Sequence, residues 1–349
     1  MFAAREDSGN GRAAVIAGVG GWVPSGTVTN HDLAARLDTS DEWIRSRTGI
    51  GARHVVEPGR ATCAMAVEAG GLALKSAGFP TVDAVIVATS TPDRVLPATA
   101  PEVASRLGLG RIAAYDLAAV CTGFLYGLAN AAGLIATRAA DSVLVIGSDT
   151  FSTIVDPMDR GTAPIFGDGA GAVLVRAGDP DEPGAVGPVC LGSGGEWSEL
   201  ITIPAGGSRQ RSEGTSPAAE DYFIQMQGRK VYRHATDRMV ESSLTALERA
   251  GWQVGDVDRF AAHQANARIG VAVAERLGIP VERALSNIEQ VGNTSGASLP
   301  LLLADSAAAG RLRPGEKVLL AAFGAGLTWG AATAVWPDVT ALSVHDYRA

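Results

Sequence analysis

The chain of 349 residues reads as an α/β protein made of two similar halves, and three observations carry that reading. Strand-like and helix-like segments alternate along most of its length, as they do where helices cover parallel sheets. The strand candidates are continuous apolar runs, such as residues 82–89, which suits strands buried on both faces. The order of segments in the first half then recurs in the second. A composition 46% hydrophobic and 19% charged supports a sizeable core and argues against disorder.

Taken in order, residues 13–18 read as a first strand and Gly20-Gly21-Trp22-Val23-Pro24 as a turn. Asn30 is placed to N-cap a helix over 30–37. Ser40-Asp41-Glu42-Trp43 opens a second helical turn that leads through Arg45, Arg47 and Gly49 to Arg53-His54. Residues 61–77 form a helix stopped by Gly78, 82–89 a buried strand, and 99–107 a helix stopped by Gly108. A strand over 111–117 leads to Cys121, and 124–140 follows as a helix apolar nearly all round, hence buried. Residues 142–147 are another strand. From Ile165 to Arg176 the chain reads as a turn, a glycine loop at Gly167-Asp168-Gly169-Ala170-Gly171, and a strand.

The second half answers each of these. Residues 257–262 repeat the pattern of 82–87, 283–288 leading to Asn293 repeat 111–117 leading to Cys121, and 317–322 repeat 142–147. Phe323-Gly324-Ala325-Gly326 is the second glycine loop. The division is then residues 1–11 as a flexible leader, 12–178 as the N-terminal half and 179–349 as the C-terminal half. Within the latter, 179–228, rich in Gly, Pro and Ser, is a linker and surface loop.

Several function classes drop out. The leader has no apolar h-region and is not a signal peptide. No run has membrane-spanning character. A net charge of −8 argues against nucleic acid as the main partner. Cys63, Cys121 and Cys190 make neither a paired framework nor a zinc spacing, so no metal is expected and a reducing cytoplasm fits. The Gly167–Gly171 stretch precedes a strand, whereas a dinucleotide loop precedes a helix. Phosphate-loop and serine-hydrolase signatures are absent from the sequence.

Three residues carry chemistry. Cys121 lies where a strand hands over to a buried helix, and the helix N-terminus there should lower the thiol pKa. A packed core cysteine is the alternative. His263 ends the strand that answers 82–89; by itself it could be a local hydrogen-bonding group. Asn293, in Gly292-Asn293-Thr294-Ser295-Gly296, could be a turn residue. Yet Cys121 and Asn293 fall at equivalent positions of the repeat, so the three can meet in one cavity near the internal axis.

The motifs Ser40–Ile44, Arg47-Thr48-Gly49-Ile50, the Cys121 segment, Arg160-Gly161-Thr162, Phe166–Gly171, His263-Gln264-Ala265-Asn266 and Gly292–Ser295 together resemble the β-ketoacyl-ACP synthase III family. These enzymes condense an acyl-CoA primer with malonyl-ACP to start fatty-acid or polyketide chains. The resemblance spans nearly all of residues 13–336. It implies the thiolase fold, two pseudo-repeated halves in a five-layered α-β-α-β-α sandwich, and a cytoplasmic homodimer. It implies Cys121 as acyl-carrying nucleophile, His263 and Asn293 as decarboxylation donors, and an oxyanion hole of the Cys121 and Ala325 backbone N–H groups. By the same resemblance Trp43 and Arg160 sandwich the CoA adenine and Arg47 binds its phosphates. Leu96 of the partner subunit and Phe166 bound the acyl pocket, and Arg233, Arg268 and Arg276 dock the acidic ACP.

No cofactor is implied beyond the CoA thioester and the ACP-bound substrate. Three departures stand out: Ala325 where many members have glycine, Leu96 where some have Phe, and Glu275 where some have a base. Leu96 points to longer or branched primers. Two alternatives remain: an acyltransferase of the same fold acting on a hydroxyl or amine, and a non-catalytic dimer partner.

Overall fold

The computed structural model describes residues 11–345, so residues 1–10 of the expected leader lie outside the described residues. The first strand, β1 (Ala13–Val23), runs straight through the stretch expected to turn. Its glycines serve packing. A Cβ on Gly20 would overlap the carbonyl oxygen of Ala69, and one on Gly21 would meet Leu301 and Ala304 at 2.9 Å. A helix backbone presses on one face of this strand and the side chains of another helix crowd the opposite face, room that only glycine leaves.

A hairpin of β2 (Gly26–Thr29) and β3 (Ala52–Val55) encloses α1 (Asn30–Ala34) and α2 (Asp41–Thr48). Thr29, not Asn30, caps α1, through a capping box with Asp32, and the helix stops short of residue 37. Asn30 is buried inside instead. Its Nδ2 donates to Asp41 and to the Ile50 carbonyl, both at 2.8 Å, and its Oδ1 accepts from Arg53. Ser40 caps α2, and Gly49 at φ 77 ends it.

The chain continues with α3 (Thr62–Ala77), β4 (Ala84–Ala88), α4 (Ala100–Arg106), β5 (Ala113–Leu117), α5 (Gly123–Ala136), β6 (Ser142–Thr150) and β7 (Asp168–Gly178). The expected glycine loop at 167–171 is the start of β7, where Gly171 lies against the backbone of Leu301.

The expected linker holds regular structure: β8 (Val186–Ser193), β9 (Ile201–Thr202), α6 (Ser208–Glu213) and β10 (Gln225–Met226). β8 carries Pro188 and two glycines, which disguise it. As an edge strand it tolerates a proline. Then follow α7 (Gly228–Ala250), β11 (Arg259–Ala262), α8 (Ala267–Leu277), α9 (Ile288–Val291), α10 (Ser298–Ala308), β12 (Lys317–Gly324), β13 (Thr328–Val335) and β14 (Leu342–His345). The strand expected at 283–288 is reduced to one parallel bridge, Ala284 to Phe260. Ser286 and Asn287 instead bond through their side chains to Gln264 and Asp305, which replaces a ladder.

The first sheet has the order β14-β1-β7-β6-β4-β5 and the second β11-β12-β13-β8. They correspond strand by strand. β4 and β6 are parallel, as are β11 and β12, while β6–β7–β1 and β12–β13–β8 are antiparallel. Ala284 stands beside β11 as β5 stands beside β4.

α3 and α4 cover the outer face of the first sheet and α7 and α8 that of the second. α5 and α10 lie between the sheets and touch both, in a shared core that includes Phe124, Leu128, Leu299, Leu302 and Leu320. The result is five layers, α-β-α-β-α. β14, from the second half, completes the first sheet beside β1.

Candidate active site

Cys121 sits on a 3₁₀ turn, Val120–Thr122, between β5 and α5. Val120 is held at φ 47, a strained value for a β-branched residue, and this turns the cysteine inward. The end of β12 packs against the turn. A Cβ on Gly324 would lie 3.0 Å from the Cys121 nitrogen, so this approach requires glycine. Thr122 ties the turn to β13 through the Thr328 hydroxyl at 2.8 Å. Ala325 is outside the left-handed region, so an alanine meets no backbone strain of that kind there.

The helix terminus does not leave the thiol acidic. Burial pushes Cys121 up to about 12, with the Ser295 hydroxyl pulling the other way. This overturns the expected lowering: the resting group is a protonated thiol. His263, just past β11, is buried and its N–H bonds the Ala321 carbonyl at 2.8 Å. Burial pushes its pKa down to about 3, so the ring is neutral, and its Nδ1 has no hydrogen-bond partner among the described residues. A neutral imidazole beside a protonated thiol is a proton acceptor in waiting.

Asn293 is fixed from three sides. Its N–H bonds Ile165, its carbonyl accepts from Gly167, and its Oδ1 accepts the Ser295 N–H, each at 2.9 Å. The amide oxygen is therefore engaged and the Nδ2 end remains as donor. Cys121, His263, Asn293, Phe166 and Ala325 line one cavity together.

Leu96 is not among them; it is 85% exposed in the loop between β4 and α4. Within the chain, the apolar end of the cavity is made by Phe151, Ile201, Ile224, Met226 and Met239. Two of these, Ile201 and Met226, belong to strands inside the supposed linker. Cys63 and Cys190 are buried elsewhere, and burial raises Cys63 to about 11.

A wider opening adjoins this cavity, sharing Phe166 and Asn293 with it, and is lined by Trp43, Arg47, Arg160, Arg229 and Arg268. The Arg160 guanidinium lies 4.4 Å from the Trp43 ring centroid and that of Arg47 5.8 Å. Arg160 and Trp43 are thus in direct contact. A planar ring enters between them only if Arg160 lifts away. Arg45, bound to Asp41 and Glu289, anchors α2 beneath them.

Arg233 and Arg268 are exposed on the neighbouring helices α7 and α8, but Arg276 is held by Asp237 at 2.7 Å. Arg229, which follows the glycine that opens α7, and Ser295, two residues from Asn293, join the site with no role assigned to either from sequence.

A thiol that can carry an acyl group, with a neutral base and an aimed amide beside it, sits where two equivalent halves meet. Fold and site together define a thiolase-fold acyltransferase. The profile "3-Oxoacyl-[acyl-carrier-protein (ACP)] synthase III" matches residues 115–195, and that of its C-terminal part residues 247–336. The β-ketoacyl-[acyl-carrier-protein] synthase III 3 of Streptomyces coelicolor is 55% identical over 330 residues, covering 94% of this chain and 98% of the relative. A Pseudomonas aeruginosa synthase III is 49% identical over 328 residues, at 94% and 98% coverage.

Among solved structures, the 3-oxoacyl-(acyl carrier protein) synthase III of P. aeruginosa PAO1 has a TM-score of 0.88 at 47% identity, covering 94% of this chain and 99% of that one. The priming β-ketosynthase of the R1128 polyketide pathway has a TM-score of 0.88 at 33% identity, covering 96% and 99%. The chain belongs to the β-ketoacyl-ACP synthase III family.

Proposed function

We propose that this enzyme condenses an acyl-CoA primer with malonyl-ACP to give 3-oxoacyl-ACP, CO2 and CoA, through an acyl group on Cys121. His263, neutral at rest, takes the thiol proton as the sulfur attacks the thioester and hands it to the departing CoA sulfur. Malonyl-ACP then enters by the same opening. Loss of CO2 leaves its electron pair as an enolate, whose oxygen Asn293 Nδ2 and His263 stabilise. The enolate carbon bonds the acyl carbon, the backbone N–H groups of Cys121 and Ala325 hold the intermediate oxyanion, and Cys121 leaves as thiolate. One proton from water restores the thiol and balances the turnover. Decarboxylation itself supplies the carbanion, so the scheme uses no resident cofactor or metal.

The single observation that carries this reading is the fixed amide of Asn293 in the cavity of Cys121. Acyl transfer to an alcohol or amine has no use for a donor held that way. CO2 release from malonyl-ACP, measured with a panel of acyl-CoAs, tests it. Release dependent on an acyl-CoA supports condensation; transfer to an alcohol without CO2 would replace it.

Around this core, Trp43 and Arg160 take the adenine once Arg160 lifts, with Arg47 and Arg229 near the phosphates. Arg233 and Arg268 offer charge to the acidic ACP, and Arg276 contributes less because Asp237 neutralises it. Exposed Val95 and Leu96 are an apolar pair suited to cover by a second copy, giving a homodimer in which Leu96 closes the partner's acyl pocket beside Phe166. Three free cysteines suit a reducing compartment such as the cytoplasm. Among the described residues no helix is long and apolar enough to cross a membrane.

A further inference from the structure

Beside the sulfur of Cys121 stands a hydroxyl that the scheme above does not use. Ser295 is wholly buried, with its backbone at φ 50, in the left-handed region that a residue bearing a Cβ enters at a cost. The Cys121 thiol donates to its Oγ at 3.6 Å, and its own N–H donates to Asn293 Oδ1. One residue thus touches the nucleophile with its side chain and aims the amide donor with its backbone.

Asp149, at the end of β6, holds the residue that follows Ser295. It is wholly buried and has no salt bridge among the described residues. Its Oδ1 accepts from the Ser90 N–H at 2.7 Å and from the Thr89 and Thr91 hydroxyls at 3.1 Å. Its Oδ2 accepts from the Gly296 N–H at 2.9 Å, and burial pushes its carboxyl above the usual range. So many fixed donors make it a rigid acceptor, and through the Gly296 N–H it holds the turn on which Ser295 meets the thiol. Cys121 and Asp149 belong to the first half of the chain and Ser295 and Gly296 to the second, so these contacts exist only in the folded molecule.

We propose that Ser295 is the positioning residue of the nucleophile: its hydroxyl, on a turn that Asp149 holds through the Gly296 N–H, seats the sulfur of Cys121 and turns to donate to it when the thiol proton leaves. The proposal rests on Cys121 being the nucleophile. In the acylation step the S–H bond breaks, sulfur bonds the acyl carbon, the bond from that carbon to the CoA sulfur breaks, and the proton reaches CoA through His263. For the duration of that transfer the sulfur carries negative charge in a dry pocket, where a hydroxyl already in contact can donate at once.

Two variants test it. Ser295→Gly removes the hydroxyl, relieves the left-handed backbone and keeps the N–H that holds Asn293. Ser295→Ala removes the hydroxyl and keeps the strain. Alkylation of Cys121 by iodoacetamide and its acylation by acyl-CoA are expected to slow about tenfold in both, the worth of one hydrogen bond. The apparent pKa of alkylation should rise, with Asp149 and His263, the titratable groups facing the sulfur, both retained. The slowing should fall on acylation rather than on decarboxylation of malonyl-ACP. Wild-type alkylation in Ser295→Gly, with only Ser295→Ala impaired, would overturn the proposal, because the residue would then matter through its backbone alone. Iodoacetamide reads the sulfur without any acyl donor, so failure of the condensation scheme would leave this comparison interpretable.

Discussion

The His263 ring is uncharged at neutral pH and Cys121 keeps its proton, because the same dry pocket disfavours charge on both. The cost of that arrangement is visible in stability. The unfolded imidazole titrates near 6.5 and the native one near 3, so below pH 6.5 the unfolded chain binds a proton that the folded chain refuses. Stability from this residue is intact above 6.5 and falls as pH drops toward 3. At pH 4.5 the loss is about 2–3 kcal/mol. Urea midpoints of wild type and His263→Asn, taken at pH 7.5 and 4.5, should show wild type losing that much more than the variant.

Asn293 makes a separate prediction. Asn293→Asp keeps the acceptor for the Ser295 N–H but removes the donor. Decarboxylation should fall about 10²–10³-fold while acylation of Cys121 changes far less; an equal loss in both would remove Asn293 from the enolate. That Cys121, His263 and Asn293 share one cavity was legible in the sequence, because each is a reactive or polar type at a break between elements, with Cys121 and Asn293 at equivalent positions of the repeat and His263 at the end of a repeated strand. Ser295 and Asp149 were not, since their meaning lies in a contact across the two halves. The state of the thiol was misread because a helix terminus is visible in sequence and desolvation is not.

Elements were legible where apolar runs end at glycine. α3, stopped by Gly78, and α4, ending just before Gly108, fall where the sequence places them. The errors share one cause. A glycine read as a turn was a glycine admitting a neighbour, as at Gly20 and Gly21 in β1 and at Gly171 in β7. The prediction is direct: Gly20→Ala drives a methyl into the α3 backbone at Ala69 and should cost about 2–3 kcal/mol, although alanine is the better strand residue by entropy. Thermal unfolding of the variant checks this; a melting point equal to wild type would mean that α3 can retreat. β8 escaped notice for a related reason, since its proline and glycines mark an edge rather than a break.

Within the chain the cavity of Cys121 is lined by Met239 and other apolar side chains, with Leu96 exposed elsewhere. If a second copy covers Leu96, then Leu96→Asp should raise the dimer dissociation constant at least tenfold, measured by sedimentation, and reduce turnover in parallel. A monomeric wild type with full activity would place the entire acyl pocket in a single chain.

The two halves meet at Gly147 and Gly296, where a Cβ on the first would overlap the carbonyl oxygen of the second. The seam under the reacting groups is therefore bare main chain on both sides, thinner than a methyl group. If the halves descend from one ancestral copy, they have been free to diverge in loops, surfaces and chemistry, one supplying the sulfur and the other the amide. At this seam they have not been independent. Each has been the mould in which the other was cast, and drift on either side has been confined to changes that leave the other's backbone where it is.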